Sequence, residues 1–446
     1  MKEDIFRHNN PNNFEYFHEV FEEFLGDTYG IMVYQEDVIK IALHYGGLEA
    51  TYGDILRRSI SGKSRSKKEI ESLKYMFFES CKRLGRNEQL SKEVFRQIES
   101  FAGYSFCKAH SASYAVESYQ SLYLKTYYGI EFMVCAINNG GGFYRTEIYV
   151  HEAKRSGATI LVPCVNHSEM ETTLIGSDIY LGFGLIKSMD EKTIHNLVEE
   201  RQTNGDFTTL ENFLSRTGIG GETLQTLIFI GAFRFTGKPK SDLIIISKML
   251  QSGEVTKSPT LLIEEPIQDY KFPVMQRNSI EDAFDEMEIL GFTVSLSPFE
   301  LLKTTYRGDI MTEQLLDNYK KTVRMLAYLV STKQVPTKNG DMYFGTWIDY
   351  NGDYFDTAHF ATSLKKYPFK GGGCYLLLGQ VEVDFHFPTI VISKMEKMPF
   401  VPDPRYQNNT DREYRVHERL KEDRSVTHRA PYPQEHEIGL PRTKMS

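Results

Sequence analysis

Long apolar runs are missing from this sequence. No stretch approaches the roughly 18 consecutive apolar residues that a membrane-spanning helix needs. The first eleven residues are polar and lack the apolar segment of a secretory signal peptide. These two absences predict a cytoplasmic protein with no membrane partner.

Cysteine is scarce and scattered. The 446 residues include five cysteines, and none of them form a CxxC pair. This spacing excludes the usual structural zinc sites and a disulfide framework, and reduced thiols fit a cytoplasmic location. The cysteines are Cys81, Cys107, Cys135, Cys164 and Cys374.

An overall excess of positive charge is also lacking, since the formal net charge is −8. Nucleic-acid binding depends on the local field rather than on the sum of charges. Between Arg57 and Lys108 basic residues outnumber acidic ones by about two to one. We therefore expect a DNA-binding face in this region, with Arg65, Lys67 and Lys68 among its contacts.

The segment from Phe101 to Tyr114, FAGYSFCKAHSASY, combines one lysine, one histidine and several hydroxyl groups. Lys108 supplies a point charge, His110 a donor that titrates near neutral pH, and Tyr114 an uncharged donor. This grouping suits a bound phosphate. The alternative is that the aromatic rings pack while Lys108 and His110 face water.

An arginine pair lies upstream, in DILRRSISGK at positions 54–63. Guanidinium groups bind phosphate oxygens in pairs, and Arg57 and Arg58 are followed by the Gly62-Lys63 turn. The spacing is not that of a Walker loop, so a nucleotide-hydrolase mechanism is not indicated. A basic run of this kind can also be a solvated helix face.

These motifs occur in a recognisable order. GIMVYQEDVIKIA at 30–42 is followed by the arginine pair and then by the aromatic segment, and the matches continue in SYQSLYLKTYYGIEFM at 118–133, EAKRSGATILVPCVNHS at 152–168 and LIFIGAF at 227–233. The chain to about Met398 resembles the C-terminal half of the alpha subunit of bacterial DNA polymerase III, a family C DNA polymerase.

The resemblance implies an α+β multi-domain fold. Apolar residues at helical spacing up to about residue 140 agree with helical fingers, and alternating apolar residues from Thr322 to Met395 agree with an oligonucleotide-binding (OB) β-barrel. The expected domains are fingers at 1–145, a helix-hairpin-helix-like region at 146–237, a tether and helical connector at 238–320, the OB barrel at 321–398 and a disordered tail at 399–446.

Nucleotide-binding residues follow from the resemblance only where the motifs match. It implies that Arg57, Arg58, Lys63 and His110 face the triphosphate of the incoming dNTP, with Lys108 and Tyr114 as further candidates. One extra residue precedes Gly62 relative to the usual LRRAMGKK pattern, which changes the expected position of Lys63. Tyr34, Gln35 and Glu36 either contact the substrate or only frame the site.

The palm that carries the catalytic aspartates in this family is expected to lie outside this chain. We interpret Asp349, Asp353 and Asp356 as turn and edge residues. The isolated chain is therefore predicted not to polymerise DNA, and the Mg²⁺ of the complete polymerase is expected to bind elsewhere. The implied partners are DNA primer-template, dNTP, and palm and PHP domains located upstream or supplied in trans.

Three further expectations concern DNA and clamp contacts. Ser188, Met189 and Asp190 replace the glycine hairpin of a helix-hairpin-helix, so a packing module with weakened DNA contact is favoured. In the barrel, Tyr343, Phe344, Trp347 and Phe360 are candidate stacking platforms for single-stranded DNA, and Lys333 and Lys338 are predicted to lie near the groove, with Tyr343 and Trp347 as the preferred aromatic contacts. The nearest approach to a sliding-clamp peptide is QDYKF at 268–272, and it is a poor match.

Two functions remain open on the sequence. In the first, the chain is part of a DNA polymerase and supplies surfaces for the incoming nucleotide and for DNA. In the second, it is a non-catalytic single-strand DNA-binding accessory protein. The retained arginine pair, Lys63 and His110 favour the first, because a DNA tether has no use for a triphosphate pocket.

Overall fold

A computed structural model describes residues 2–11, 13–61, 67–100, 106–252, 278–338 and 340–406. The chain divides into two compact units, residues 1–126 and residues 127–446. In the described ranges no helix is both long enough and apolar enough to cross a membrane.

The first unit is helical, as the sequence predicts. Its core is formed by large aromatic residues, among them Phe21, Tyr45, Phe77 and Phe95, all of which are fully buried. Gly46 allows the close approach of Phe77, because a Cβ on this glycine would lie 2.3 Å from the Phe77 ring. The helices are α1 (Lys2–Asn9), α2 (Glu19–Leu25), α3 (Gln35–His44), α4 (Ala50–Ser61), α5 (Lys67–Arg83), α6 (Glu88–Ser100) and α7 (Lys108–Tyr127), whose last residue falls in the second unit.

The second unit begins with a helical region around a small sheet. In this sheet β3 is central, parallel to β1 and antiparallel to β2. Phe183, Phe207, Phe213 and Phe233 fill the core beside it. The elements are α8 (Gly129–Asn138), α9 (Thr146–Arg155), β1 (Thr159–Leu161), β2 (Thr173–Ile175), β3 (Asp178–Tyr180), α10 (Glu191–Asn204), α11 (Leu210–Thr217), α12 (Gly221–Phe229), α13 (Lys240–Ser252) and α14 (Ser279–Ile289).

A closed five-stranded barrel follows in the second unit, in the order β4-β5-β6-β8-β7. Neighbouring strands are antiparallel except β6 and β8, whose parallel pairing closes the barrel. This closure confirms the predicted OB-type barrel. The elements are β4 (Thr322–Thr337), β5 (Gly340–Ile348), β6 (Tyr354–His359), α15 (Ala361–Leu364), β7 (Cys374–Asp384) and β8 (Phe387–Lys397).

The start of the predicted tail is folded, so the prediction of disorder from residue 399 is wrong for residues 399–406. Arg405 donates to Oδ1 of Asp285 on α14 at 2.8 Å, and its guanidinium also binds Asp403. The remainder of that tail, residues 407–446, lies outside the described residues, as does the clamp-like segment 268–272.

Candidate nucleic-acid interface

Arg57 and Arg58 share one carboxylate on the surface of α4. Nε and Nη2 of Arg57 donate to Oδ1 of Asp54 at 3.0 and 2.8 Å, and Nε of Arg58 lies 2.8 Å from Oδ2 of the same side chain. The hydrogen bonds from Arg57 and the nearby charge of Arg58 hold the pKa of Asp54 below its usual range. The three residues therefore carry a net charge of about +1 at neutral pH.

The first turn of α3 connects this arginine pair to the start of α7. Nη1 of Arg57 donates to Oε1 of Gln35 at 3.1 Å, and the next residue, Glu36, accepts from the backbone N–H of Lys108 at 2.9 Å. Burial tends to raise the pKa of Glu36, but the hydrogen bond from Lys108 and the charge of Arg57 outweigh it, and the pKa is lowered. A bond of 2.7 Å from the Gln35 N–H to the Phe106 carbonyl completes the contact.

Three of the predicted nucleotide-binding side chains begin α7 and are exposed. Nζ of Lys108 lies 5.4 Å from the centre of the Tyr34 ring and 3.6 Å from a carboxylate oxygen of Asp27. The rings of His110 and Tyr114 meet edge to face, with their centres 4.4 Å apart. The structure thus brings Arg57, Lys108 and their partners together at the first turn of α3.

Asp54 is the residue in this site to which the sequence analysis assigned no role. Its spacing to the arginines, three and four residues, places all three side chains on one face of a helix. That spacing is a readable signal for an acidic partner. Gln35 and Glu36, left open on the sequence, hold the basic residues in place in the described structure.

The structure does not describe the side chains of several predicted nucleotide and DNA contacts. Lys63 and Arg65 lie outside the described residues. Lys67 and Lys68 begin α5, and their side chains are likewise not described. Their roles stay predictions.

Asp190 caps α10 in the helix-hairpin-helix-like region. Its Oδ1 accepts from the Thr193 N–H at 3.0 Å, and its Oδ2 accepts from the Thr193 hydroxyl at 2.7 Å. These bonds lower the pKa of Asp190, so a full negative charge occupies the helix N-terminus at neutral pH. A DNA phosphate at the N-terminus of α10 would therefore meet the negatively charged carboxylate of Asp190.

In the barrel, the predicted role of Trp347 as a stacking surface is wrong. Its side chain is fully buried, and Nε1 donates to Oγ1 of Thr357 at 2.6 Å. Tyr343, on the same side of β5, is half-buried and packs near Phe369. Side chains alternate along a strand, so the intervening Phe344 is the exposed ring, and it pairs across the ladder with Lys333.

Lys338 is exposed near the end of β4. Together with Lys333 it supplies positive charge along the exposed edge of the β4–β5 hairpin. Among the candidate platforms on β5, Phe344 is the one whose ring faces solvent.

The three barrel aspartates considered in the sequence analysis are already engaged. Asp349 is buried and accepts from the backbone N–H groups of Thr312 and Asp353, Asp353 pairs with Arg155, and Asp356 accepts from the Thr346 hydroxyl. Within the described ranges, no group of three or more His, Cys, Asp or Glu side chains could hold a metal ion. These carboxylates do not fit a catalytic metal pair.

Two family models match parts of the chain. The family model of the bacterial DNA polymerase III alpha subunit finger domain matches residues 2–85, and a helix-hairpin-helix motif model matches residues 157–243. The chain thus contains one segment similar to that finger domain and one similar to a helix-hairpin-helix motif.

Two individual proteins are similar to this chain over most of its length. The chain is 30% identical over 420 residues to DNA polymerase III subunit alpha of Staphylococcus epidermidis strain RP62A, and 31% identical over 373 residues to that of Staphylococcus aureus strain MRSA252. These alignments cover 91% and 81% of this chain, but 38% and 34% of the relatives. The chain resembles the C-terminal half of DNA polymerase III subunit alpha.

Proposed function

We propose that this chain forms the finger, helix-hairpin-helix and barrel parts of a cytoplasmic DNA polymerase III alpha subunit and takes part in template-directed DNA synthesis. The similarity to the alpha subunits over most of the chain supports this role. The five-part domain division of the sequence analysis, with the last boundary moved to residue 406, belongs to the same proposal.

The nucleotide-binding part of the proposal rests on the way in which Arg57 and Arg58 are held on α4. Arg57 is held by both Asp54 and Gln35, so its guanidinium has a fixed position before any ligand arrives. Arg58, exposed and bound to the same Asp54, can exchange that partner for a phosphate oxygen. A preorganised guanidinium beside a mobile one suits the triphosphate of an incoming dNTP.

Lys108, His110 and Tyr114 extend this site along the start of α7, and Lys63 completes the proposed set. The N-termini of α3 and α7 meet at the bond between Gln35 and Phe106, and Glu36 already accepts from the first N–H of α7, so the positive field of the site comes from the basic side chains. The proposed task of these residues is to hold the phosphates in line and to offset the charge that develops on the leaving pyrophosphate.

DNA contacts are proposed at two places. In the first unit they are Arg65, Lys67 and Lys68, beside the nucleotide site in sequence. In the barrel they are Lys333, Lys338 and Phe344, with Tyr343 as a partly accessible neighbour. The catalytic Mg²⁺ is proposed to bind to a palm outside this chain, since the engaged carboxylates of the barrel do not fit it.

Helix α7 is a candidate surface for that palm. None of its 20 residues is buried, and it exposes the rings of Tyr114, Tyr119 and Tyr123 together with Leu122. Apolar surface of this extent on one helix marks an interaction site. We propose that the palm covers it, whether the palm is joined upstream or supplied in trans with the PHP domain.

Primer extension with a supplied palm tests the proposal. A palm fragment of a related alpha subunit is added to this chain, and we expect extension of a primed template that Arg58→Ala reduces by at least about tenfold. Arg96→Ala is the matched control, because Arg96 is also an exposed helix arginine paired with a carboxylate about one helical turn away. Equal loss in both variants, or no extension with any palm, contradicts the nucleotide-binding role.

The second candidate function is a non-catalytic single-strand DNA-binding accessory protein, which the closed barrel and its exposed rings favour. It predicts salt-sensitive binding of single-stranded DNA, no extension with any palm and no dNTP binding. A possible sliding-clamp contact at 268–272 is compatible with either function.

A further inference from the structure

The hairpin between β7 and β8 has an unusual tip. Asp384 pairs with Phe387, so the loop has only two residues, Phe385 and His386. Their φ angles are 49° and 68°, both in the left-handed region. Positive φ at both loop residues is characteristic of the type I′ turn, one of the two common two-residue hairpin turns, and Asn-Gly is the sequence that adopts it most readily.

Phe385 and His386 therefore hold a strained backbone. Left-handed conformations are unfavourable for residues with a Cβ, and bulky residues are uncommon there. Strain of this kind persists in folded proteins mainly where function uses it. An Asn-Gly tip would connect the same strands with less strain, so these two residues are not explained by the stability of the hairpin.

The tip also presents two aromatic rings to solvent. Phe385 is 91% exposed, the highest value among the large apolar residues of the described chain, and Phe387 is 75% exposed. Within the described part of the chain, no other side chain covers either ring to a substantial extent.

Positive charge lies within reach of the rings. The backbone of Lys320 and Lys321 is hydrogen-bonded to Val381, three residues before Asp384, which corresponds to about 10 Å along the strand. Lys320 pairs with Glu382, whereas the Lys321 ammonium donates to two neutral oxygens, the backbone carbonyl of Asp317 and Oδ1 of Asn318.

We propose that Phe385 and Phe387 are a stacking site for the bases of single-stranded DNA, with Lys321 contacting the phosphate of a neighbouring nucleotide. The proposal rests on the DNA-binding role proposed above and assigns it residues that the sequence analysis did not identify. Hairpin loops beside the strands of OB barrels are suitable positions for oligonucleotide contacts. The carboxylate of Asp384 repels phosphate, so the tip itself takes the base and not the backbone.

A protein partner fits the tip less well. Two phenylalanine rings bury at most about 400 Å², whereas one side of a stable protein interface needs about 800 Å². The flanking Asp384, His386 and Lys321 are polar and would not extend an apolar interface. Base stacking needs only the faces of the rings, and every base offers one.

The main test replaces the tip by its relaxed equivalent. We expect the double variant Phe385→Asn, His386→Gly to unfold at a higher temperature than the wild type, and to bind a labelled oligothymidylate about 5-fold to 100-fold more weakly. The slope of affinity against salt concentration should stay the same, because stacking releases no counterions. In Lys321→Ala, by contrast, the slope should fall by about 0.7.

Two further variants complete the experiment. Ile175→Asn changes an exposed apolar residue elsewhere in the same unit and should leave binding unchanged. Phe385→Trp should keep the affinity, and its exposed indole should be quenched by the oligonucleotide, whereas the native Trp347 is buried.

The outcomes separate the two proposals. Binding by the wild type that the tip variants leave unchanged overturns the stacking site alone. Absence of any single-strand binding by the wild type overturns the stacking site together with the DNA role of the barrel. The stacking site is also overturned if the protein self-associates or binds uncharged lipid vesicles, and the double variant abolishes that property without changing DNA binding.

Discussion

Trp347 and His359 are joined through one hydroxyl in the interior of the barrel. Oγ1 of Thr357 accepts from Nε1 of Trp347 at 2.6 Å, lies 2.7 Å from Nε2 of His359 and lies 3.2 Å from the carbonyl oxygen of Gly345. A hydroxyl donates once and accepts twice. All three contacts are satisfied when Thr357 donates to Gly345 and His359 carries its hydrogen on Nε2.

Barrel stability should fall as the pH is lowered from 6.5 to 4. Burial lowers the pKa of His359 to about 4, against about 6.5 in an unfolded chain. The unfolded state therefore binds more protons in this window, and stability is complete above pH 6.5 and lost by about 3 kcal/mol towards pH 4. Denaturant unfolding followed by the fluorescence of Trp347, the single tryptophan, measures it.

The variant His359→Phe should flatten this pH dependence. Thr357 would still accept from Trp347 and donate to Gly345, so the substitution leaves no buried hydroxyl without a partner. His195→Gln, at an exposed histidine of the same unit, is the control and should keep the wild-type slope. An unchanged slope in His359→Phe would assign the pH dependence to other groups.

Gly345→Ala should destabilise the barrel by about 2 kcal/mol. A Cβ at this position would lie 2.7 Å from Nε1 of Trp347 and 2.9 Å from Oγ1 of Thr357, so the hydrogen-bonded pair must shift. Gly220→Ala is the control, since nothing lies within 4 Å of the added Cβ there. Equal free energies of unfolding for the two variants would show that the barrel interior adapts to the added methyl group.

Arg405→Ala should destabilise the second unit by about 2 to 4 kcal/mol. Asp285 is buried and binds Nη1 of Arg405 at 2.8 Å and Nζ of Lys240 at 3.4 Å, so loss of the arginine leaves a buried carboxylate with one weaker partner. The double variant with Asp285→Asn should cost less than the sum of the single changes. Arg324→Ala breaks an exposed pair with Asp309 and should have a much smaller effect.

Much of the architecture was readable from the sequence. Periodicity identified both the helical first unit and the barrel. Apolar residues at helical spacing indicate the first, and alternating apolar and polar residues indicate the second. The orientation of the β5 aromatics was not readable, since Tyr343, Phe344 and Trp347 are all apolar and only the register with β4 and β6 decides which faces inward.

Other features depend on contacts between distant segments. The sequence from Pro402 is polar and proline-containing, yet Arg405 finds a buried carboxylate 120 residues earlier in the chain. The strained tip likewise has no turn signature in the sequence, because Phe385 and His386 stand where the turn favours Asn and Gly. The partner of the arginine pair, Asp54, could have been found from helical spacing alone.

Asp190→Asn should strengthen binding of duplex DNA by a few-fold while keeping α10 intact. The asparagine side chain can still accept from the Thr193 N–H, so the cap remains, but the negative charge at the helix N-terminus is removed.

Comparison of Asp190→Asn with Asp190→Ala separates the effect of the charge from the effect of the cap. Asp190→Ala removes both, and we expect a similar gain in DNA affinity with a lower melting temperature. The readouts are affinity for a labelled duplex and thermal unfolding of each variant. Equal affinities for wild type, Asp190→Asn and Asp190→Ala would mean that this helix N-terminus does not face DNA.

Arg57→Lys should weaken dATP binding by about tenfold although the charge is conserved. Arg57 uses a planar fork to bind Asp54 through two nitrogens and Gln35 through a third, and a lysine ammonium cannot reproduce this geometry. Without that anchor the charge at position 57 is no longer held at the first turn of α3. Arg96→Lys, on α6, should leave dATP affinity unchanged. If Arg57→Lys binds dATP as the wild type does, the fixed fork is not what recognises the triphosphate, and charge alone accounts for the affinity.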